Sequence, residues 1–104
     1  MLVSPDAWIG WDLGGANLKA VQLDGAGAVR AVVQVACPLR EGLERLHAGV
    51  ELVLERLDAR ASCHALTMTG ELTDLFENRP QGVRALVSAM RGHFPGETLK
   101  VYAG

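Results

Sequence analysis

The stretch Asp12-Leu13-Gly14-Gly15-Ala16-Asn17-Leu18-Lys19 decides how the rest of the chain is read. Just before it stands Trp8-Ile9-Gly10-Trp11, a short apolar run that ends on the carboxylate of Asp12. Paired glycines allow positive φ, so residues 13–17 read as a tight turn. A loosely alternating run follows, with Leu18, Ala20, Val21 and Leu23 apolar and Lys19 and Gln22 polar. The expected unit is strand, turn, strand. That sets it apart from the P-loop and the dinucleotide fingerprint, each of which leads from a strand into a helix.

The chemical use of such a turn is phosphate binding. Gly14 and Gly15 carry no Cβ, so backbone N–H groups can approach an anion closely. Lys19 adds a point charge. Asp12 cannot hold phosphate itself, because like charges repel. It can hold Mg²⁺ or its waters, with the metal bridging to the phosphate. On spacing alone, a plain hairpin turn with an exposed lysine fits the same residues.

Beyond this unit, Asp24-Gly25-Ala26-Gly27 between two strand-like runs is a hairpin signal. Residues 29–36 are rich in Val and stop at Cys37-Pro38, completing an antiparallel meander of three strands. From Glu41 to Asp58 the period changes. Leu43, Leu46, Val50, Val53, Leu54 and Leu57 recur at spacings of three and four, which is one face of a helix. His64 to Thr69 reads as a short buried strand closed by Gly70-Glu71. Val83, Leu86, Val87, Met90 and Phe94 mark a second helix, with Pro80 in its first turn. Thr98 to Tyr102 is a last strand. The order β-β-β-α-β-α-β predicts an α/β domain with a mixed sheet, its fourth and fifth strands parallel to the first by right-handed crossovers.

The chain has 104 residues, 49% of them hydrophobic and 21% charged, which suits one folded domain and no disordered segment. A formal net charge of −2 leaves no electrostatic footprint for nucleic acid or an anionic membrane. Two cysteines, Cys37 and Cys63, are too few for a disulfide framework. No apolar run approaches the ~18 residues of a membrane span, and no signal peptide is evident. The expected compartment is the cytoplasm. Trp8 and Trp11, three apart in a strand, point to opposite faces, one of them into the core. Cys63-His64 has no second Cys/His pair nearby to build a metal site.

Asp-x-Gly-Gly-x-Asn-x-Lys on a hairpin within this element order resembles the first phosphate loop of the superfamily of sugar kinases, Hsp70 and actin. The resemblance implies a ribonuclease H-like lobe with a five-stranded sheet of order 3-2-1-4-5. It also implies that the hairpin grips the terminal phosphates of ATP while Asp12 helps position Mg²⁺. A second stretch, Thr67-Met68-Thr69-Gly70-Glu71-Leu72-Thr73-Asp74-Leu75-Phe76 with Arg79 and Gly82-Val83, resembles the hydantoinase/oxoprolinase-like branch. Within it, the chain is similar to proteins of the tetrahydromethanopterin-linked C1 transfer pathway and to the methanofuran-biosynthesis enzyme that condenses an aminomethylfuran diphosphate with γ-glutamyltyramine. Ala16, where sugar kinases usually carry Thr, favours this branch.

That resemblance implies a transferase that releases diphosphate, with Asp12, Glu71 and Asp74 as its catalytic carboxylates. Gly14, Gly15, Ala16, Asn17, Lys19 and Arg79 would hold phosphate, and Mg²⁺ would sit at Asp12, directly or through water. Glu71 could bind metal or act as general base, and Arg79 could clamp a phosphate oxygen bidentately. Taken without the resemblance, Glu71 and Asp74 read as helix-start carboxylates and Arg79 as a solvated surface charge. An ATP-dependent hydantoinase-like hydrolase, a small-molecule kinase and a non-catalytic binding module are the competing expectations. The chain is expected to be the N-terminal, phosphate-binding lobe of a two-lobed protein. Its partners would be a phosphate or diphosphate ligand, a C-terminal lobe and, through an uncovered apolar face, a second copy of itself.

Overall fold

The first hairpin forms around the predicted turn, with longer arms. In the computed structural model, which describes residues 4–57, 61–69 and 75–102, β1 runs Ser4–Leu13 and β2 Asn17–Leu23. They pair antiparallel, with Asp12 opposite Lys19 and Leu13 opposite Leu18. β3, Val29–Ala36, pairs antiparallel with β2. In the turn between them, Asp24 Oδ1 accepts hydrogen bonds from the N–H groups of Ala26 (2.9 Å) and Ala28 (3.0 Å). Here Gly27 takes the left-handed conformation, at φ 84°. The Asp-Gly signal therefore marks a turn whose conformational demand falls two residues beyond Gly25.

A 3-10 turn, Leu39–Glu41, leads into α1, Leu43–Leu57. The chain then forms β4, Ala61–Met68, α2, Arg79–His93, and β5, Thr98–Tyr102. Asn78 caps α2, its side chain accepting from the N–H of Gln81 at 2.9 Å, and proline stands in the first turn. β4 runs parallel to both β1 and β5. The sheet order is β3-β2-β1-β4-β5, the order the resemblance implies.

Both helices cover one face of this sheet. Leu46, Val50 and Val53 of α1 and Leu86 and Met90 of α2 share one core with Ile9, Trp11, Leu13, Leu18, Ala20, Leu66 and Met68. Because strand side chains alternate, Gly10, Asp12, Lys19, Val21, Ala65 and Thr67 belong to the other face. The two tryptophans divide accordingly. Trp11 is buried, and Trp8 is half-buried on the opposite side with Lys100 Nζ 6.0 Å from its ring centroid.

One buried polar group ties the core together. Trp11 Nε1–H donates to His64 Nδ1 at 3.1 Å, and His64 Nε2 lies 2.7 Å from Glu97 Oε1. An indole N–H can only donate. His64 Nδ1 must then be the acceptor, and Nε2 carries the proton given to Glu97. Phe94 stacks on the imidazole at 3.8 Å between centroids. His64 thus belongs to the core, as a satisfied polar residue. Cys37 is buried as well, and desolvation pushes its thiol pKa up.

Candidate functional site

The turn 14–16 sits at the end of the sheet where β1 and β4 finish. Three hydrogen bonds fix it. Gly14 N–H donates to Asn17 O (3.0 Å), Cys37 N–H to Ala16 O (2.7 Å) and Thr69 N–H to Leu13 O (2.8 Å). They anchor the turn within the hairpin, to the end of β3 and to the end of β4. The acceptors are the carbonyls of Leu13, Ala16 and Asn17, and the one turn N–H they spend is that of Gly14. Among the described residues, the N–H groups of Gly15 and Ala16 donate to no protein acceptor, and both residues are exposed. Two adjacent unspent donors on a turn held by three hydrogen bonds are groups that an anion can use.

An open depression of about 360 Å³ lies beside these donors, lined by Asp12, Gly14, Gly15, Ala16, Asn17, Lys19 and Gln34. The structure therefore brings together the expected phosphate-loop residues. At the low end of the ~300–1,000 Å³ of small-molecule sites, it suits the anionic end of a ligand better than a whole nucleotide. A second, smaller hollow is lined by Gly10, Val21, Ala65 and Thr67 of the uncovered sheet face and shares Asp12 and Lys19 with the first.

The glycines act differently from the sequence expectation. Among the described residues positive φ occurs at Gly27, Gly42 and Gly96, and neither Gly14 nor Gly15 has it. The turn does not need a left-handed residue there. A Cβ on Gly14 would lie 3.5 Å from Asn17 O and 3.9 Å from Thr69 Oγ1, ordinary contacts. What glycine leaves at this position is access to the backbone.

The register shows residues that the sequence reading missed. Gln34, Lys19, Asp12, Thr67 and Tyr102 are successive cross-strand partners, a polar row across all five strands on the uncovered face. Within it, Thr67 Oγ1 donates to Asp12 Oδ1 at 3.1 Å. Gln34 was legible as a lone amide in a valine-rich run. Thr67 had no local signal, since it meets Asp12 only through β1–β4 pairing.

Glu71 and Asp74 lie outside the described residues. α2 begins at Arg79, and its first turn carries no acidic residue. Arg79 itself opens that helix, exposed, and does not line the depression.

The donor set around Asp12 is a single exposed carboxylate. No group of three or more metal-ligating side chains occurs among the described residues. That fits Mg²⁺, which keeps several waters and takes one or two carboxylates plus substrate phosphates.

Among solved structures, the chain is similar to a ROK-family transcriptional regulator, a homologue of the E. coli MLC protein, with TM-score 0.66 and 14% identity over 93% of this chain and 27% of that one. It is also similar to a ROK-family glucokinase from Streptomyces griseus solved with glucose and AMPPNP, with TM-score 0.60 and 19% identity over 93% of this chain and 33% of that one. An exopolyphosphatase from Cytophaga hutchinsonii aligns with TM-score 0.58 and 11% identity over 94% of this chain and 34% of its own. The five-stranded mixed sheet of order 3-2-1-4-5 with its helices is the fold shared with these structures. The chain spans about a third of the length of these structures. No family model and no curated protein matches it.

Proposed function

We propose that this chain is the phosphate-gripping lobe of an ATP-using enzyme of the sugar-kinase type, with a second lobe supplying the other wall of the cleft. The observation that carries this reading is the pair of unspent N–H donors at Gly15 and Ala16, beside Lys19 and Asp12. The N–H groups would take the oxygens of a terminal phosphate, and Lys19 would balance its charge. Mg²⁺ at Asp12 would supply further neutralisation of the phosphates. Asn17 and Gln34 are the amides within reach of the same depression.

The run from Thr67 to Val83 favours a second, narrower reading, the methanofuran-type condensation. There the same turn would hold the departing diphosphate. Glu71 would take the proton of the attacking hydroxyl or amine, Asp74 would assist, and Arg79 would clamp a phosphate oxygen. Both readings share the diphosphate chemistry and differ in the nucleophile.

The test is calorimetric titration of the 104-residue chain with pyrophosphate, ATP and AMP, each with and without Mg²⁺. The expected result is Mg²⁺-dependent binding of ATP and pyrophosphate and none of AMP. Lys19→Ala should weaken that binding about tenfold, equivalent to ~1.4 kcal/mol, and Asp12→Asn should remove the Mg²⁺ dependence. A folded chain that binds none of these ligands would refute the reading and favour a non-catalytic module. In a longer chain containing the second lobe, diphosphate release without nucleotide would select the condensation over the kinase.

A further inference from the structure

On the premise that the depression takes a phosphate with its cation, we infer that Thr67 is a positioning residue that keeps Asp12 from pairing with Lys19. Asp12 lies on the central strand with Lys19 directly opposite on β2 and Thr67 directly opposite on β4. Directly opposed side chains have Cβ atoms about 4.5–5.5 Å apart, and opposite charges at that spacing attract. An Asp12–Lys19 ion pair would be the default for two exposed partners. It would also spend the two charges the site needs, the carboxylate for the cation and the ammonium for the phosphate. Among the described residues no such pair forms; the ion pair between charged side chains there is Glu41–Arg45.

Thr67 supplies the reason. Its hydroxyl has one proton and two acceptors in reach, Asp12 Oδ1 at 3.1 Å and Trp11 O at 3.5 Å. The shorter contact, to a charged acceptor, is the stronger. Threonine is stiff at χ1, so the hydroxyl is presented from a fixed place. Asp12 is drawn toward β4, away from Lys19, with Oδ2 left for the cation.

The experiment compares Thr67→Val, which keeps the shape and removes the donor, with Thr67→Ser, which keeps the donor. Pyrophosphate binding is measured with and without Mg²⁺ in both, and in Asp12→Asn and Asp12→Asn/Thr67→Val. Thr67→Val is expected to weaken Mg²⁺-dependent binding about three- to tenfold, the net scale of one ordinary intramolecular hydrogen bond, because the Asp12 acceptor is exposed to water. Thr67→Ser should restore it to within about twofold, and Thr67→Val should have no further effect once Asp12 is Asn. Carboxyl and ammonium resonances of Asp12 and Lys19 should show the new ion pair in Thr67→Val alone. Wild-type affinity in Thr67→Val overturns this role and leaves the phosphate site standing. Loss in both Thr67→Val and Thr67→Ser overturns it in favour of a packing role. Absence of Mg²⁺-dependent binding in the wild type overturns both the site and the role.

Discussion

Replacing Glu97 with Ala tests the buried network on which the strand carrying Asp12 rests. His64 is 1% exposed and gives its Nε2 proton to Glu97 Oε1, while its Nδ1 is already occupied by the Trp11 indole. Removing the carboxylate strands a buried N–H, and an unmet donor of that kind costs about 1–3 kcal/mol. The Glu97 side chain is 31% exposed, so water can partly replace it, which places the loss in the lower half, about 1–2 kcal/mol. In a domain of this size each kcal/mol moves Tm by about 4–8 °C. The expected fall is therefore about 5–15 °C, read by thermal unfolding at neutral pH. Glu97→Gln keeps an acceptor oxygen and should lose less. His64→Ala strands the Trp11 N–H and opens a gap under Phe94, so it should lose more, about 3 kcal/mol or above. Nitrogen NMR should find the His64 proton on Nε2. A Glu97→Ala variant melting within about 2 °C of the wild type, or a proton on Nδ1, would sink the network as drawn.

Gly14→Ala separates folding from binding. The position has neither positive φ nor a close neighbour for the added methyl, so chemical denaturation should show stability unchanged to about 1 kcal/mol. Pyrophosphate affinity should fall at least about tenfold, and equal affinity would show that close backbone approach is not what the glycine serves. A third prediction concerns the helix pair. His47 Nδ1 and His93 Nε2 are 2.7 Å apart between α1 and α2. Burial, and then the neighbouring His47, lower the pKa of His93 from its ordinary 6.5, with Glu51 opposing. The unfolded chain then takes up this proton before the folded one, so stability falls as pH drops below about 6.5. Denaturant midpoints between pH 7.5 and 5 should show that slope, and His93→Gln should flatten it.

The sequence made local structure legible and left distant pairing hidden. Residues 98–102 were bounded correctly because Leu99 and Val101 alternate with the exposed Thr98, Lys100 and Tyr102. The helix faces followed from spacing, and Pro80 marked the start of α2. β1 runs further back than the apolar pattern suggested, to Ser4. Ser4-Pro5-Asp6 has weak strand propensity, and pairing with β4, where Ser4 meets Ala61, overrides it. The candidate phosphate turn was readable because its residues are consecutive. Thr67 was not, because a parallel register set across the fold leaves no trace in the residues nearby. His64 was visible only as an odd polar residue in a buried strand. Its partners Trp11 and Glu97 are 53 and 33 residues away.

The central place of β1 also gives the site a history. Asp12 meets Lys19 through a hairpin that closes over 7 residues, but it meets Thr67 only after 55 residues have been brought round. Short loops close cheaply and fast, and long-range parallel pairing comes late. During folding the carboxylate is thus beside its lysine before its threonine is there. The hairpin can begin to form in a half-folded chain, but the tie of its turn to Thr69 and the Thr67–Asp12 hydrogen bond belong to the completed sheet. A ligand that needs both groups would bind only the finished fold, and by mass action would stabilise the whole sheet and its helices when it did.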